Sequence, residues 1–245
     1  GGGLILYEVN SPSTGTASAG WAALAADAST AFQNPAGMTR LDRSQLLVGV
    51  QPLIITSRFA SSPNTSVERG GDDGGNAGSV MPSLGGYYVY SVSECFKLGL
   101  SAVSYFGLGI NYGESWVGRY RVEQGTFLSA SLVPAAAYRI SDWLSVGAML
   151  NIMPGYMKTQ TAINNLGGSD GQVTFKDTYP GIGGGLGFLI EPNDRTRIGI
   201  TYYSPVSLRF KDTPSFSNLG PVFDRLLIGR QLEMKYTVPQ WVMVS

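Results

Sequence analysis

Histidine is absent from the 245-residue chain, and cysteine occurs only once. Without histidine, catalysis by a serine–histidine or cysteine–histidine pair is excluded, and a single cysteine excludes an internal disulfide. Most zinc sites are excluded as well, because they need several histidine or cysteine ligands. We therefore predict a protein that is not an enzyme and that binds neither a metal ion nor another cofactor.

Charged residues are also scarce, at 14% of the chain, against about 25% in an ordinary soluble domain. The 17 basic and 17 acidic side chains cancel, so no basic field is present to hold nucleic acid. No run of about 18 apolar residues occurs, which excludes a helical membrane span. What remains is an apolar chain with 33 glycines and 11% aromatic residues, a composition that fits a transmembrane β-barrel.

Apolar and polar side chains alternate most clearly over Thr196–Phe210. One face carries Thr196, Ile198, Ile200, Tyr202, Val206, Leu208 and Phe210. The other face carries Arg197, Gly199, Thr201, Tyr203, Ser207 and Arg209. Strands in soluble proteins average about 5–6 residues, whereas a strand of about 15 residues rises about 50 Å and crosses a tilted bilayer span. The pattern predicts a membrane strand whose apolar face contacts lipid.

The same alternation recurs along the chain and predicts eight strands. Their bounds are Gln45–Phe59, Ser83–Val92, Phe96–Phe106, Thr126–Ile140, Trp143–Thr161, Gln172–Ile190, Thr196–Phe210 and Gly229–Val244. Most connections alternate between long and short: 60–82, 93–95, 107–125, 141–142, 162–171, 191–195 and 211–228. Outer-membrane barrels show long outer loops and short periplasmic turns, whereas a soluble β-sandwich has no reason to sort its loops. The sequence therefore favours an all-β, antiparallel transmembrane β-barrel.

Most charged side chains within these segments fall on the polar face. A charge on the lipid side near the middle of the bilayer costs about 2–4 kcal/mol, so the polar face must line the lumen. Four glycines of the sixth strand share that face: Gly181, Gly183, Gly185 and Gly187. They either leave room for a segment inside the barrel or allow tight strand curvature, and both interpretations stay open.

Residues 1–43 lack this alternation and form a separate region. Ala17–Ala28 is rich in alanine and predicts a short helix, and Asn34 followed by Pro35 predicts an N-capped turn. We predict that 1–43 is a small helical plug, or hatch, and that 44–245 forms barrel strands. Because an eight-stranded barrel is filled by its own side chains, we expect the chain to be the N-terminal portion of a longer protein.

Four segments carry a resemblance to a known family. The first contains Gly20, Asp27-Ala28 and Asn34-Pro35-Ala36. The others are VPAAAYRISDWLSVGA at 133–148, DRTRIGITYYSPVSL at 194–208 and VPQWVMVS at 238–245. In this order they resemble the FadL family of hydrophobic-compound transporters in the Gram-negative outer membrane. A full member of that family has about 14 strands, which implies that about 8 of them are present here.

The resemblance implies passive uptake of long-chain fatty acids or other hydrophobic small molecules, such as aromatic hydrocarbons. It implies a monomer in the bacterial outer membrane, whose partners are the hydrophobic ligand and the membrane lipid. A general diffusion porin or a structural barrel of the outer membrane stays open as the alternative. An outer-membrane lipid hydrolase is disfavoured, because a Ser-His mechanism needs histidine.

In the family, the ligand leaves a lumenal pocket sideways, through a gap at a kink in the third strand that faces the hatch. The resemblance assigns the hatch motif to Asn34, Pro35 and Ala36. It assigns the wall opening to Ala102, Val103, Ser104, Tyr105 and Gly107.

The apolar loop 107–125 predicts a landing surface, because exposed apolar patches usually mark a binding surface or membrane contact. With side chains of the fifth strand it supplies the candidate ligand contacts, which are Phe106, Leu108, Ile110, Trp116, Met149, Met153, Met157 and Lys158. The methionines either bind a variable apolar ligand or pack against the plug. Lys158 either pairs with a ligand carboxylate or is a solvated charge at the rim. The basic contact of the family aligns near Thr161, which permits a neutral ligand.

Overall fold

The structure is a computed structural model that describes residues 6, 9–62, 64, 70–227 and 229–245. Its strands are β1 Gln45–Ile54, β2 Val80–Ser91, β3 Phe96–Val103, β4 Gly107–Asn111, β5 Gln124–Ser129, β6 Ser131–Ser141, β7 Leu144–Ile163, β8 Gly171–Asn193, β9 Thr196–Tyr203, β10 Val206–Asp212, β11 Ser215–Ser217, β12 Leu232–Val238 and β13 Trp241–Val244. Two short α-helices are α1 Thr30–Gln33 and α2 Pro221–Leu226, and two 3-10 helices span Pro12–Thr16 and Pro35–Arg40. No helix in these ranges is long and apolar enough to cross a membrane.

The main sheet is antiparallel and curled like part of a barrel wall, in the order β1-β2-β3-β6-β7-β8-β9-β13. Strands β7 and β8 form its longest pair, which extends from Leu144 and Ile190 to Ile163 and Gly171. The predicted antiparallel β fold is therefore confirmed.

The two faces of the sheet have the predicted chemistry. On β9, Ile198 is 40% exposed and points outward, whereas Thr201 is fully buried on the inward face. Apolar side chains occupy the outward face of the neighbouring strands as well, such as Leu98 and Leu186. An outward apolar band and an inward polar or small-residue face are what a lipid-facing wall requires.

Four of the eight predicted segments are broken, and the first ends earlier than predicted, at Ile54. The third stops at Val103 and resumes as β4, and the fourth is divided at Ala130. The seventh breaks at Ser204-Pro205 and the eighth at Pro239-Gln240. Proline explains the last two breaks, because it has no N–H to donate to a sheet ladder.

The prediction that Val206, Leu208 and Phe210 face lipid is wrong. These side chains are at most 1% exposed, while Arg209 of the same strand is exposed. After Pro205, β10 leaves the main sheet and pairs with β12 as a separate two-stranded sheet. In β12, the apolar row is reversed in the same way: Met234, Tyr236 and Val238 pack against the core. The β10–β12 sheet therefore lies over the inward face of β8.

Residues 9–43, here called the N-terminal segment, also lie against the inward face of the sheet. Ala31, Phe32 and Met38 of this segment belong to the buried core. The predicted helix over Ala17–Ala28 is wrong, because this stretch consists mainly of turns. Ala17 and Ala25 have φ angles of 50° and 47°, in the left-handed region that interrupts a right-handed helix.

Candidate functional site

Asn34 ties the N-terminal segment to the wall. Its Oδ1 accepts a hydrogen bond from the Ala36 N–H at 3.1 Å, and Pro35 opens the 3-10 helix that follows. The predicted N-cap is therefore confirmed. The Asn34 Nδ2 donates to Ala22 O at 2.6 Å and to Phe188 O of β8 at 3.0 Å. One side chain thus caps a helix, fixes the preceding turn and docks the segment on the sheet.

Glycines of the wall make this docking possible. A Cβ added to Gly187 of β8 would overlap Asn34 Oδ1 and lie 2.9 Å from Pro35 Cδ. A Cβ added to Gly147 of β7 would lie 2.6 Å from the Ala36 nitrogen. Real side chains do not tolerate such distances, so the motif rests on bare backbone. Gly187 therefore does leave room for a segment inside the wall, whereas Gly181 and Gly183 leave room for Val206 of β10.

The wall is interrupted beside β3, the strand at which the family resemblance implies a kink. Strand β2 pairs with β3 from Gly85 to Ser91, while residues 80–84 pair with β1 alone among the described strands. Ser104 and Tyr105 lie outside the ladder, and β4 pairs with β5 instead of β6. The Ser104 hydroxyl donates to Ser129 O at 2.7 Å and holds the interrupted end in place.

A cavity of about 280 Å³ lies at this interruption, between β1 and β2 on one side and β4 and β5 on the other. Its lining is mainly apolar and includes Ile54, Met81, Pro82, Ser104, Phe106 and Leu108. Its volume is at the lower end of the range for small-molecule sites, roughly 300–1,000 Å³. Here it is called the wall cavity.

The structure brings some of the predicted wall and ligand residues together at the wall cavity and places others elsewhere. Ser104, Phe106, Gly107 and Leu108 line it. Three of the residues predicted for the wall opening are not among its lining residues: Ala102, which is exposed on β3, and Val103 and Tyr105, which are buried.

The predicted exposed landing loop is wrong for two of its residues. Phe106 is fully buried against Phe127 and Tyr236. Trp116 is 7% exposed and stacks on Tyr112 with ring centroids 4.1 Å apart. Aromatic pairing within the loop covers Trp116, and pairing with strands β5 and β12 covers Phe106, so neither side chain is exposed to meet a ligand first. Ile110 is half-buried on β4.

The methionines and Lys158 lie on opposite faces of β7. Met149 and Met153 are buried in the core cluster, and the half-buried Met157 packs against it. Lys158 lies an odd number of residues from each methionine, so its side chain points to the other face of the strand. There it donates to Gln124 Oε1 at 2.9 Å. The structure therefore does not unite this cation and these thioethers in one site.

Polar loops cover the end of the sheet beyond Lys158. Lys158 pairs in register with Lys176 on the outward face, which marks the end of the lipid-facing band because charges there are costly. Beyond it, Arg119 forms an ion pair with Asp170 at 2.7 Å. Glu123 accepts hydrogen bonds from Gln160 and Gln172, and burial raises the pKa of its carboxyl above the ordinary value. No three His, Cys, Asp or Glu side chains in the described part of the chain could together hold a metal ion.

Sequence reasoning did not single out a group of polar residues on the inward face near Tyr105. The Asn151 Nδ2 donates to the Tyr105 hydroxyl at 2.8 Å, and Ser101 and Ser131 are buried on adjacent strands. The alternation of side chains along each strand is enough to assign these residues to the inward face. Their proximity to Tyr105 depends on pairings between distant parts of the chain.

Comparisons with known proteins agree with this fold. The family model described as outer membrane protein transport protein (OMPP1/FadL/TodX) matches residues 1–239. The chain is 26% identical to outer membrane protein P1 of Haemophilus influenzae, with 98% of this chain and 61% of that protein covered. It is 24% identical to the long-chain fatty acid transport protein of Salmonella typhi, with 85% and 52% covered. The chain thus spans about half to two thirds of the length of these relatives.

Solved structures show the same fold. A FadL homologue of Pseudomonas aeruginosa superposes with a TM-score of 0.81 at 20% identity, with 99% of this chain and 65% of that chain covered. The CymD monoaromatic hydrocarbon channel gives a TM-score of 0.67 at 16% identity, with 98% and 64% covered. The curled antiparallel sheet and the family match together establish the identity: this chain belongs to the OMPP1/FadL/TodX family of transport proteins of the bacterial outer membrane.

Proposed function

We propose that the protein takes up long-chain fatty acids, aromatic hydrocarbons or similar hydrophobic small molecules across the outer membrane without an energy source. The names of two similar proteins, a long-chain fatty acid transport protein and a monoaromatic hydrocarbon channel, support this substrate class. The observation that carries the proposal is the apolar wall cavity at the interruption beside β3.

The N-terminal segment serves as the hatch in this proposal, and the wall cavity is the exit. The segment lies on the inward face of the sheet, held by Asn34 on β8. It therefore obstructs the direct path along the lumen. A ligand that reaches the inside of the wall near Tyr105 has the cavity beside it, lined by Phe106 and Leu108.

The cost of hydrating a hydrocarbon tail favours lateral exit. Moving one methylene from an apolar place into water costs about 0.8 kcal/mol. A tail of about 15 methylenes released into the periplasm would therefore face a penalty of roughly 12 kcal/mol. Release through the wall into the bilayer core is close to neutral, so no energy source is needed.

Filling the wall cavity is expected to stop uptake. Leu108→Trp adds bulk at a position that lines the cavity, and we expect the initial uptake rate of a radiolabelled long-chain fatty acid or toluene to fall at least about tenfold. Leu100→Trp is the matched control, because Leu100 is similarly exposed on the outward face of β3 but does not line the cavity. Equal uptake by the two variants, at equal amounts in the outer membrane, would contradict lateral exit.

A further inference from the structure

Three neighbouring polar atoms on the inward face are buried without a hydrogen bond of normal geometry among the described residues: Ser101 Oγ, Ser131 Oγ and Asn151 Oδ1. Of these, Ser131 Oγ lies within reach of the Tyr105 hydroxyl, whereas Ser101 Oγ and Asn151 Oδ1 have no such neighbour in the described part of the chain. The three residues, here called the polar patch, are 0%, 3% and 5% exposed. Native proteins satisfy almost all buried polar atoms, so a group of three in one place points to a missing partner.

The polar patch is one contiguous surface across three neighbouring strands. Ser101 of β3 pairs with Val133, and Ser131 pairs with Val103, so the two serines are diagonal neighbours. Leu132 of β6 pairs with Ile152, which makes Ser131 a diagonal neighbour of Asn151 on β7. Diagonal neighbours lie about 7–8 Å apart or less, so that side chains that lean toward each other can share one small polar group.

Tyr105 connects the patch to residues of the wall cavity. Asn151 Nδ2 donates to the hydroxyl of Tyr105, the residue between Ser104 and Phe106, which both line the cavity. The Tyr105 ring packs against Phe32 of the N-terminal segment, with ring centroids 5.2 Å apart. A ligand that moved along Tyr105 toward the wall cavity would pass the patch.

The chemistry of the patch selects the kind of ligand group that it could hold. Asn151 already uses its amide N–H toward Tyr105, so its free Oδ1 can only accept a hydrogen bond. The serine hydroxyls can donate or accept. No patch residue carries a positive charge, and a buried carboxylate without a cation is strongly unfavourable. A hydroxyl group fits these demands, whereas an ionised carboxylate does not.

We propose that the polar patch is the head-group subsite of the transporter and that it binds the hydroxyl of an uncharged amphiphile. Aliphatic alcohols, phenols and protonated carboxylic acids belong to this class. The inference rests on the proposed function, since it assigns a substrate preference to that same route. The tail lies toward the wall cavity while the hydroxyl donates to Asn151 Oδ1 and accepts from Ser131, its diagonal neighbour, and Ser101 lies on the far side of Ser131.

Uptake of three probes with the same chain length tests the subsite: 1-decanol, decane and decanoate. Initial rates are measured with the full chain in the outer membrane of bacterial cells that lack another hydrophobe transporter. We expect 1-decanol to be taken up about tenfold faster than decane, since a site built to bind a hydroxyl discriminates against the analogue without it. We expect decanoate at neutral pH to be slower than 1-decanol.

Substitutions in the patch are expected to remove this preference without blocking the route. Asn151→Leu should bring the decanol-to-decane ratio close to one, mainly through a fall in the decanol rate. The double variant Ser101→Ala and Ser131→Ala is expected to lower the decanol-to-decane ratio in the same way. It provides the test if Asn151→Leu does not reach the membrane. Met149→Leu is the matched control, an apolar exchange on the same face of β7, and should keep the wild-type ratio.

Each result decides between the subsite and its alternatives. A decanol-to-decane ratio near one in the wild type, or a ratio that persists in the variants, overturns the subsite. The patch would then bind ordered water, and the proposed transport function would be unaffected. Decanoate uptake faster than that of 1-decanol overturns the uncharged class. If the wild-type protein is present in the membrane but takes up none of the probes, the proposed function itself fails.

Discussion

Deletion of residues 1–43 is expected to turn the protein into a non-selective pore. The N-terminal segment occupies the inward face of the sheet, where Phe32 packs against Tyr105 and Tyr203 and Met38 is fully buried. Outer-membrane permeability to small hydrophilic solutes should rise by about an order of magnitude or more, because a barrel wide enough to enclose a plug leaves an aqueous channel once the plug is removed.

Permeability is measured as single-channel conductance in planar bilayers and as sensitivity of cells to a hydrophilic antibiotic. The control is Leu24→Ala, which truncates a half-exposed side chain on the same segment without removing it. A general diffusion porin needs no plug, so its conductance would hardly change on the deletion. Conductance equal to that of the intact chain would therefore support the porin alternative and contradict a hatch.

Gly187→Ala is expected to destabilise the docked N-terminal segment by about 1–3 kcal/mol, the usual cost of overpacking a close contact. The added methyl group would overlap Asn34 Oδ1 and press on Pro35. The segment must then withdraw from β8 or lose the hydrogen bond from Asn34 Nδ2 to Phe188 O. We expect faster proteolysis of the segment and a partial leak to hydrophilic solutes, with the barrel wall intact.

Gly86→Ala is the matched control for this substitution. Gly86 also lies within a strand, β2, but a Cβ added there meets nothing within 4 Å. The two variants share the change in backbone entropy, so the difference between them measures the contact with the N-terminal segment alone. Equal protease resistance of the two would mean that the segment does not rest on Gly187 in the membrane.

The alternation of side chains made most of the wall predictable. One face of a membrane strand must be apolar, and Ile198 and Thr201 follow that rule as predicted. The N-cap at Asn34 was also predictable, because capping is local and depends on the residue type and the following proline. The break in the third strand is not visible in the alternation alone, since the period of two continues through Ala102 to Ser104. It emerges only where this register conflicts with the family resemblance at Ser104.

The remaining features depend on contacts between distant residues. A period of two defines the two faces of a strand but does not show which face is buried. Pro205 interrupts the ladder, and beyond it Val206 and Leu208 point inward and contact the glycines of β8. The alanine-rich sequence at 17–28 favours a helix only weakly, and tertiary contacts hold this stretch in turns instead. The backbone of Ala22 approaches Gly199 so closely that a Cβ there would overlap it, which a regular helix would not provide.

The aromatic loop shows the same limit. Trp116 and Phe106 were expected to be exposed because the loop that holds them is apolar. Trp116 instead stacks on Tyr112, and Phe106 packs against Tyr236 from a strand more than a hundred positions away in the chain. Composition indicates that apolar side chains need cover but does not tell whether a ligand or the protein itself supplies it.

Photolabelling with a ligand analogue tests lateral exit most directly. A long-chain fatty acid with a diazirine near the end of its tail is added to outer membranes that contain the full chain, and adducts are located by mass spectrometry after irradiation. Adducts at Ile54, Met81 and Leu108, which line the wall cavity, are the expected result. Adducts confined to the N-terminal segment and the lumen, with none at these three residues, would contradict exit through the wall.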